Sequence, residues 1–214
     1  MSLLLAVIAS ALLAVLAGPL QLPWLAFVFK PLTTILILVY AWPRGADEPP
    51  VRRWLRLGLA LSLLGDVALL WPQQGFLPGL IAFQLAHLSY IVAFSRRARF
   101  AARWQPFALY GVVSLAILSQ LWSGLPAALR VPVMAYVLCL ATMAAQAAVA
   151  WLVARGSERE RSWRSAAIGG ALFVASDALL ATDKFLAPLP ASALWILATY
   201  WVAQWCIASS LRRT

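Results

Sequence analysis

Charged residues are scarce in this sequence: they make up 11% of its 214 residues, whereas soluble domains carry roughly 25%. The chain is instead 64% hydrophobic, with a mean hydropathy of +0.85 and 11 tryptophans. This composition excludes an ordinary soluble domain and predicts an integral membrane protein. The net charge of +10 does not predict nucleic-acid binding, because the basic residues are confined to short loops between apolar segments.

The sequence is also poor in residues that build metal and nucleophile sites. It has one histidine and two cysteines, and Cys139 and Cys206 lie in apolar segments without CxxC or metal-ligand spacing. A catalytic zinc ion usually takes three protein ligands, typically including two or three histidines, so a zinc site is disfavoured, although an Asp/Asp/His set stays open. The sequence has no GxSxG elbow, Gly-rich phosphate loop or dinucleotide fingerprint. We therefore expect no serine triad, no cofactor and no bound metal.

Eight apolar segments are long enough to cross a membrane as helices, which takes about 20 residues each. Tryptophans bracket several of them, as expected of rings that settle at the membrane interface. The predicted spans cover residues 3–22, 24–42, 54–71, 77–94, 104–122, 131–153, 165–182 and 190–211. The pattern predicts an all-α polytopic membrane protein with a single domain over residues 1–214.

The loops differ in charge on the two sides of the predicted membrane. Arginines cluster in every second connection and at the C-terminus: Arg44, Arg52, Arg53, Arg56, Arg96, Arg97, Arg99, Arg103, Arg155, Arg159, Arg161, Arg164, Arg212 and Arg213. The opposite loops carry Arg130 and Lys184 alone. Because basic loops stay in the cytoplasm, this asymmetry predicts that both termini are cytoplasmic and that the number of spans is even.

Two segments four helices apart resemble each other. GLALSLLGDVALL and GGALFVASDALLA align with Asp66 on Asp177. Four spans preserve direction, so the alignment suggests two four-helix halves related by an axis along the membrane normal. The two halves would be residues 1–103 and 104–214. Ala- and Leu-rich helices also align by chance, so a chain without a repeat stays open.

Three charged residues lie deep inside predicted spans: Lys30, Asp66 and Asp177. A charge in hydrocarbon costs several kcal/mol unless it is paired or faces a cavity, so such residues mark a functional site. Counted from the nearest interface at 1.5 Å per residue, each lies about 7–9 Å below the non-cytoplasmic surface. His87 lies somewhat deeper in the fourth span. We expect the four groups to form one site in the outer half of the membrane.

Polar residues at helical spacing extend this site. Tyr90 follows His87 by three residues, and Tyr200 and Gln204 stand one turn apart in the last span. If Lys30 pairs with one aspartate, the other has no cation and is favoured as the neutral acid, so two carboxyls can divide acid and base roles. The sequence does not say which is which. The alternative is structural: a lysine that snorkels to the headgroups, carboxyls that bond neighbouring helices and an interior histidine.

Five short motifs run in order along nearly the whole chain: KPLTT (30–34), LLGD (63–66), HLSY (87–90), ASD (175–177) and YWVAQ (200–204). Together they resemble the YhhN family, the lysoplasmalogenases, with no departure at the ionisable positions. The resemblance implies an eight-helix membrane hydrolase that cleaves the vinyl ether bond of lysoplasmalogens. Its products would be a fatty aldehyde and glycerophosphoethanolamine or glycerophosphocholine. The site residues implied are Lys30, Asp66, His87, Tyr90, Asp177, Tyr200 and Gln204.

The chemistry implied is acid catalysis. Vinyl ethers resist base but hydrolyse once a proton reaches the β-carbon, so one aspartate would be the general acid and the other would guide water. The expected catalytic residues are Asp66, Asp177 and His87. The expected substrate-binding residues are Lys30, Tyr90, Tyr200 and Gln204.

A transporter is the alternative class, because intramembrane charges also form proton and substrate paths. A purely structural scaffold is a third interpretation. The expected partners are a lysophospholipid substrate and membrane lipids, with no nucleic acid. The ratio of 15 arginines to two lysines is typical of GC-rich bacterial genomes and favours a bacterial inner membrane. No pattern predicts the headgroup, the chain length or the oligomeric state.

Overall fold

The computed structural model describes residues 2–213, and over that range the chain forms eight α-helices. They are α1 (Ser2–Leu16), α2 (Pro23–Ala41), α3 (Pro49–Ala68), α4 (Phe76–Ser95), α5 (Gln105–Leu121), α6 (Ala127–Val153), α7 (Glu160–Phe185) and α8 (Ser192–Ser209). The described residues contain no β-strand. The predicted all-α class is therefore confirmed.

The first helix is shorter than predicted. α1 ends at Leu16 rather than near residue 22. Gly18 and Pro19 follow that end, and glycine is a poor helix former whereas proline has no N–H to donate. The chain turns there, and Gln21 adopts a positive φ of 54°.

Prolines set the starts of the next two helices. α2 begins at Pro23 and α3 at Pro49, because the fixed φ of proline suits the first helical turn. As a result α3 begins five residues before the predicted span at 54–71. α7 runs past both ends of its predicted span at 165–182, so its last turn reaches Phe185.

The helices carry an apolar outer surface that suits lipid. Four of the helices in residues 2–213 are long and apolar enough to cross a membrane, namely α2, α4, α6 and α7. α1 and α5 are apolar but shorter, with 15 and 17 residues. Val112 and Leu115 of α5 and Leu138 of α6 are 68%, 69% and 70% exposed. Such a surface is unstable in water, which supports the predicted membrane protein.

Glycines bring neighbouring helices close together. A Cβ built on Gly65 of α3 would lie 2.5 Å from the Phe83 ring of α4, and Gly58 lies against the Tyr90 ring in the same way. A Cβ on Gly169 of α7 would lie 2.8 Å from a backbone oxygen of α8. Small residues at such contacts are the usual basis of helix association in membranes. These contacts bring α4 against α3 and α8 against α7, and Tyr90 of α4 and Tyr200 of α8 are buried in the interior.

A partly buried ion-pair cluster lies at one end of the bundle. Arg97, just after α4, donates to Glu48 Oε2 at 3.2 Å and to the Ser210 carbonyl oxygen at 2.9 Å. Arg159 pairs with Asp47 and Glu48 at 3.4 and 3.2 Å. Burial lowers the pKa of Arg97, and the Glu48 carboxylate opposes that shift. Segments between α2 and α3, after α4, between α6 and α7 and after α8 therefore meet at this end.

Candidate active site

Asp66 of α3 is the centre of a buried hydrogen-bond network. The residue is 1% exposed, and the hydroxyls of Thr34 and Tyr200 both donate to its Oδ2, at 2.6 and 2.8 Å. The Lys30 ammonium lies 4.0 Å from Oδ1. Lys30 and Thr34 are four residues apart on α2, so both face the same carboxyl. Two helices, α2 and α8, thus supply Asp66 with two hydroxyl donors and a cation, partners that complement a negative charge.

A chain of donors behind Tyr200 sets the direction of its hydroxyl. Tyr90 donates to Gln204 Oε1 at 2.8 Å, and Gln204 Nε2 donates to the Tyr200 oxygen at 3.2 Å. Because the Tyr200 oxygen accepts this bond, its own proton is directed to Asp66. Tyr90 and Gln204 are fully buried and lie behind Tyr200.

The second carboxyl has different surroundings. Tyr136 of α6 donates a hydrogen bond to Oδ2 of Asp177 on α7. Within residues 2–213 no basic nitrogen lies within 4.0 Å of Asp177. The two aspartates are therefore unequal: Asp66 has a cation and two hydroxyls, and Asp177 has one phenol.

A cavity of about 350 Å³ joins the two carboxyls. Its polar lining close to them comprises Lys30, Asp66, Tyr136, Asp177 and Tyr200. Mostly apolar side chains of α4 to α8 form the rest of its walls, out to Pro72, Leu121 and Phe185. Those residues mark the end of the bundle opposite the ion-pair cluster. The volume is at the low end of the range for small-molecule sites, roughly 300–1,000 Å³, and the lining suits an amphipathic ligand.

Two further charged residues, Asp183 and Lys184, line the outer end of the same cavity. Both lie in the last turn of α7. The Asp183 Oδ1 accepts the Leu189 N–H at 2.8 Å, which ties down the connection to α8. The Lys184 ammonium lies 4.5 Å from the centre of the Phe76 ring.

His87 is buried beside the cavity rather than on it. The residue is 0% exposed, and among the described residues neither ring nitrogen has a hydrogen-bond partner. Its ring meets Phe173 edge-on with centroids 4.6 Å apart, and it lies 5.3 Å from the Tyr136 ring. Four of the predicted site residues line the cavity: Lys30, Asp66, Asp177 and Tyr200. The other three lie behind the lining: His87, Tyr90 and Gln204.

Metal-ligating side chains do not cluster in the described part of the chain. Across residues 2–213 no three His, Cys, Asp or Glu side chains group closely enough to hold a metal ion. The Asp/Asp/His set that the sequence left open is therefore not formed there.

Tyr136 and Lys184 line the cavity but were not among the predicted site residues. Tyr136 lies well inside α6, away from the interface where tyrosines usually settle, and that position is a usable signal. Lys184 is one of two basic residues on its predicted side of the membrane, which is a weaker signal because a loop lysine needs no special role.

Comparison with known proteins identifies the family. The model of the YhhN family matches residues 25–211. Human lysoplasmalogenase TMEM86B is 33% identical over 205 residues, 91% of this chain and 78% of the relative. Mouse lysoplasmalogenase TMEM86B is 33% identical over 97% of this chain and 84% of the relative. The Escherichia coli uncharacterized membrane protein YhhN is 33% identical over 56% of this chain and 57% of the relative.

No solved structure matches the chain. The family match covers most of the sequence, and it includes every residue predicted for the site. The resemblance inferred from the five short motifs is therefore confirmed. This chain belongs to the YhhN family.

Proposed function

We propose that this protein is a membrane enzyme that hydrolyses the vinyl ether bond of lysoplasmalogens, releasing a fatty aldehyde and glycerophosphoethanolamine or glycerophosphocholine. The observation that carries the proposal is the pair of unequal carboxyls, Asp66 and Asp177, on one amphipathic cavity. Relatives named lysoplasmalogenase support the substrate class. The transporter alternative receives no support from these relatives.

The first step is proton transfer from Asp177 to the β-carbon of the vinyl ether. Asp177 is half-buried on a mostly apolar cavity, where a charge without a partner is costly. Among the described residues it has no cation within 4.0 Å, so in this mechanism it holds its proton. The hydrogen bond from Tyr136 occupies Oδ2, which leaves Oδ1 to carry that proton. As the O–H bond breaks and the C–H bond forms, the ether carbon becomes an oxocarbenium ion.

Asp66 then stabilises this cation and activates water. Its ionised form is supported by Lys30, Thr34 and Tyr200, and a carboxylate beside an oxocarbenium ion is the arrangement that glycosidases use. Water adds to the cationic carbon and loses a proton to Asp66, giving a hemiacetal.

Collapse of the hemiacetal returns both carboxyls to their starting forms. The hemiacetal hydroxyl gives its proton to Asp177 as the aldehyde forms. The proton on Asp66 passes to the departing glycerol oxygen. In the net reaction one water molecule is consumed and the vinyl ether is cleaved to an aldehyde and an alcohol.

The residues behind the lining act by positioning. Tyr90 and Gln204 direct the Tyr200 hydroxyl to Asp66 through two hydrogen bonds in series. The ring of His87 lies against Tyr136, the donor to Asp177, so we assign it to holding that phenol in place. Lys30 acts on Asp66, to which it is close.

We propose that all eight helices span the membrane with both termini in the cytoplasm, which for a bacterial chain means the inner membrane. The basic loops support this orientation, and the cavity then opens to the non-cytoplasmic side. In intact cells, a maleimide that cannot cross membranes should label Ser123→Cys, between α5 and α6, and not Ser157→Cys, between α6 and α7. Labelling of Ser157→Cys alone contradicts the orientation.

We also propose one domain over residues 1–214 built from two related halves, 1–103 and 104–214. α3 packs on α4 as α7 packs on α8. A hydroxyl of α2 donates to Asp66 of α3, as the Tyr136 hydroxyl of α6 donates to Asp177 of α7. These parallels favour the repeat.

Two matched substrates test the activity. The purified protein in detergent micelles is incubated with a 1-alkenyl lysophospholipid and, separately, with its 1-acyl ester analogue. We expect aldehyde from the vinyl ether and no fatty acid from the ester, because proton delivery to carbon does not cleave an ester. Fatty acid from the ester without aldehyde from the vinyl ether contradicts the proposed function.

A further inference from the structure

The mouth of the cavity carries a cation that has no part in the chemistry above. Lys184 lies in the last turn of α7, is exposed, and lines the cavity together with Phe76 and Phe185. Its ammonium lies 4.5 and 5.9 Å from the centres of those two rings. Aromatic faces hold a cation in place without neutralising it.

Lys184 is free to take an external anion. Among residues 2–213 it forms no ion pair within 4.0 Å, although Asp183 is its neighbour in sequence. Asp183 is turned to the Leu189 N–H instead. The other basic residue of the lining, Lys30, lies 4.0 Å from Asp66 with its side chain 13% exposed, so its charge is already opposed by a carboxylate.

The separation of Asp177 and Lys184 along α7 is close to the length of the substrate between its vinyl ether and its phosphate. Lys184 lies seven residues after Asp177, or about 10 Å along the helix axis at 1.5 Å per residue. In a lysoplasmalogen seven bonds separate the β-carbon of the vinyl ether from the phosphorus, and an extended chain of that length spans roughly 8–9 Å. A substrate with its β-carbon at Asp177 therefore brings its phosphate to the level of Lys184.

We propose that Lys184 binds the phosphate of the lysophospholipid headgroup at the mouth of the cavity, and so selects phosphorylated vinyl ether lipids over those without a headgroup. The assignment rests on the proposed function for the identity of the lipid. Lys184 is then the residue that binds the headgroup, whereas the Lys30 ammonium lies beside Asp66.

The kinetic test compares two substrates, 1-alkenyl-glycerophosphoethanolamine and 1-alkenylglycerol. For Lys184→Gln we expect the preference for the phosphorylated substrate, as a ratio of kcat/KM values, to fall about tenfold, through KM rather than kcat. Lys184→Arg should keep most of the preference because it keeps the charge. Arg130→Gln is the matched control, since Arg130 lies at the same end, stacks on Trp122 and is not on the cavity lining.

A binding test separates the assignment from the chemistry. The probes are the saturated 1-alkyl analogues with and without phosphoethanolamine, which cannot be hydrolysed, and the readout is tryptophan fluorescence in micelles. Weaker binding of the phosphorylated probe by Lys184→Gln than by Arg130→Gln supports the assignment even if no aldehyde is ever released. The assignment is overturned if Lys184→Gln and Arg130→Gln bind the phosphorylated probe with equal affinity. It is also overturned if Lys184→Gln loses as much kcat/KM on 1-alkenylglycerol as on the phosphorylated substrate, or as much affinity for the probe without phosphoethanolamine as for the probe with it.

Discussion

The ammonium nitrogen of Lys30 lies 4.0 Å from Oδ1 of Asp66 inside the helix bundle, with the two side chains 13% and 2% exposed. The pair joins α2 to α3 at the floor of the cavity, where Thr34 and Tyr200 also donate to the carboxylate. In the proposed mechanism this contact favours the ionised role for Asp66 and leaves Asp177 as the aspartate without a cation among the described residues. Our proposal for the acid and base roles, which the sequence left open, rests on this contact.

Removal of the cation should destabilise the protein. Lys30→Met leaves Asp66 buried without its charge partner, and breaking a buried pair costs about 3–5 kcal/mol, which lowers the melting temperature by on the order of 10 °C. The double variant Lys30→Met/Asp66→Asn should recover part of that loss, since no charge is left unpaired, but not the activity. Thermal unfolding in detergent measures both effects. If Lys30→Met has the same melting temperature as the wild type, the Lys30–Asp66 pair does not stabilise the protein.

The Tyr200 hydroxyl should affect turnover more than substrate binding. Tyr200→Phe removes the donor to Asp66 and the acceptor for Gln204, and the loss of a hydrogen bond to a charged group, about 2 kcal/mol, corresponds to roughly thirtyfold in kcat. Tyr110→Phe is the matched control, because Tyr110 of α5 lies outside the cavity and donates no hydrogen bond to the described residues. Equal kcat values for the two variants would refute the assignment.

His87 should show a trade-off between stability and function. A buried imidazole with both nitrogens unpaired in the described structure costs about 1–3 kcal/mol, so His87→Phe should raise the melting temperature. The same variant should lose activity if the histidine positions Tyr136, and we expect a loss of about tenfold in kcat. The measurement is kcat beside thermal unfolding. A more stable, fully active variant shows that His87 has no part in the site.

Proton delivery to carbon leaves an isotopic mark. In deuterium oxide the released aldehyde should carry one deuterium on the carbon next to the carbonyl, because Asp177 exchanges its proton with solvent before it donates. Immediate reduction to the alcohol prevents later exchange, and mass spectrometry gives the label. An aldehyde without deuterium excludes protonation of the β-carbon.

The sequence predicts the helices well because apolar length and interfacial tryptophans mark them. It also predicts that Lys30, Asp66 and Asp177 lie together, and all three line one cavity. The predicted end of α1 was wrong because the apolar run continues past Gly18 and Pro19, although these two residues end the helix.

What the sequence does not predict is the rotation of each helix about its axis. Helices that face lipid on one side and an apolar interior on the other have little contrast between faces, so hydrophobic periodicity does not orient them. For this reason Tyr136 was not predicted to reach Asp177, and the separation of His87 from the cavity could not be foreseen. Whether Lys184 lines the cavity likewise depends on the direction in which the last turn of α7 faces, which the sequence does not predict.

Both unequal carboxyls should be needed to cleave the vinyl ether, and the measurement is aldehyde release by Asp66→Asn and by Asp177→Asn. Glu158→Gln is the matched control, since Glu158 is an exposed carboxyl in the connection from α6 to α7, far from the cavity lining. With a 1-alkenyl lysophospholipid in micelles we predict that each aspartate variant loses at least about 10²-fold in kcat, while the control keeps the wild-type rate. Near-wild-type release of aldehyde by both aspartate variants would contradict the two-carboxyl mechanism.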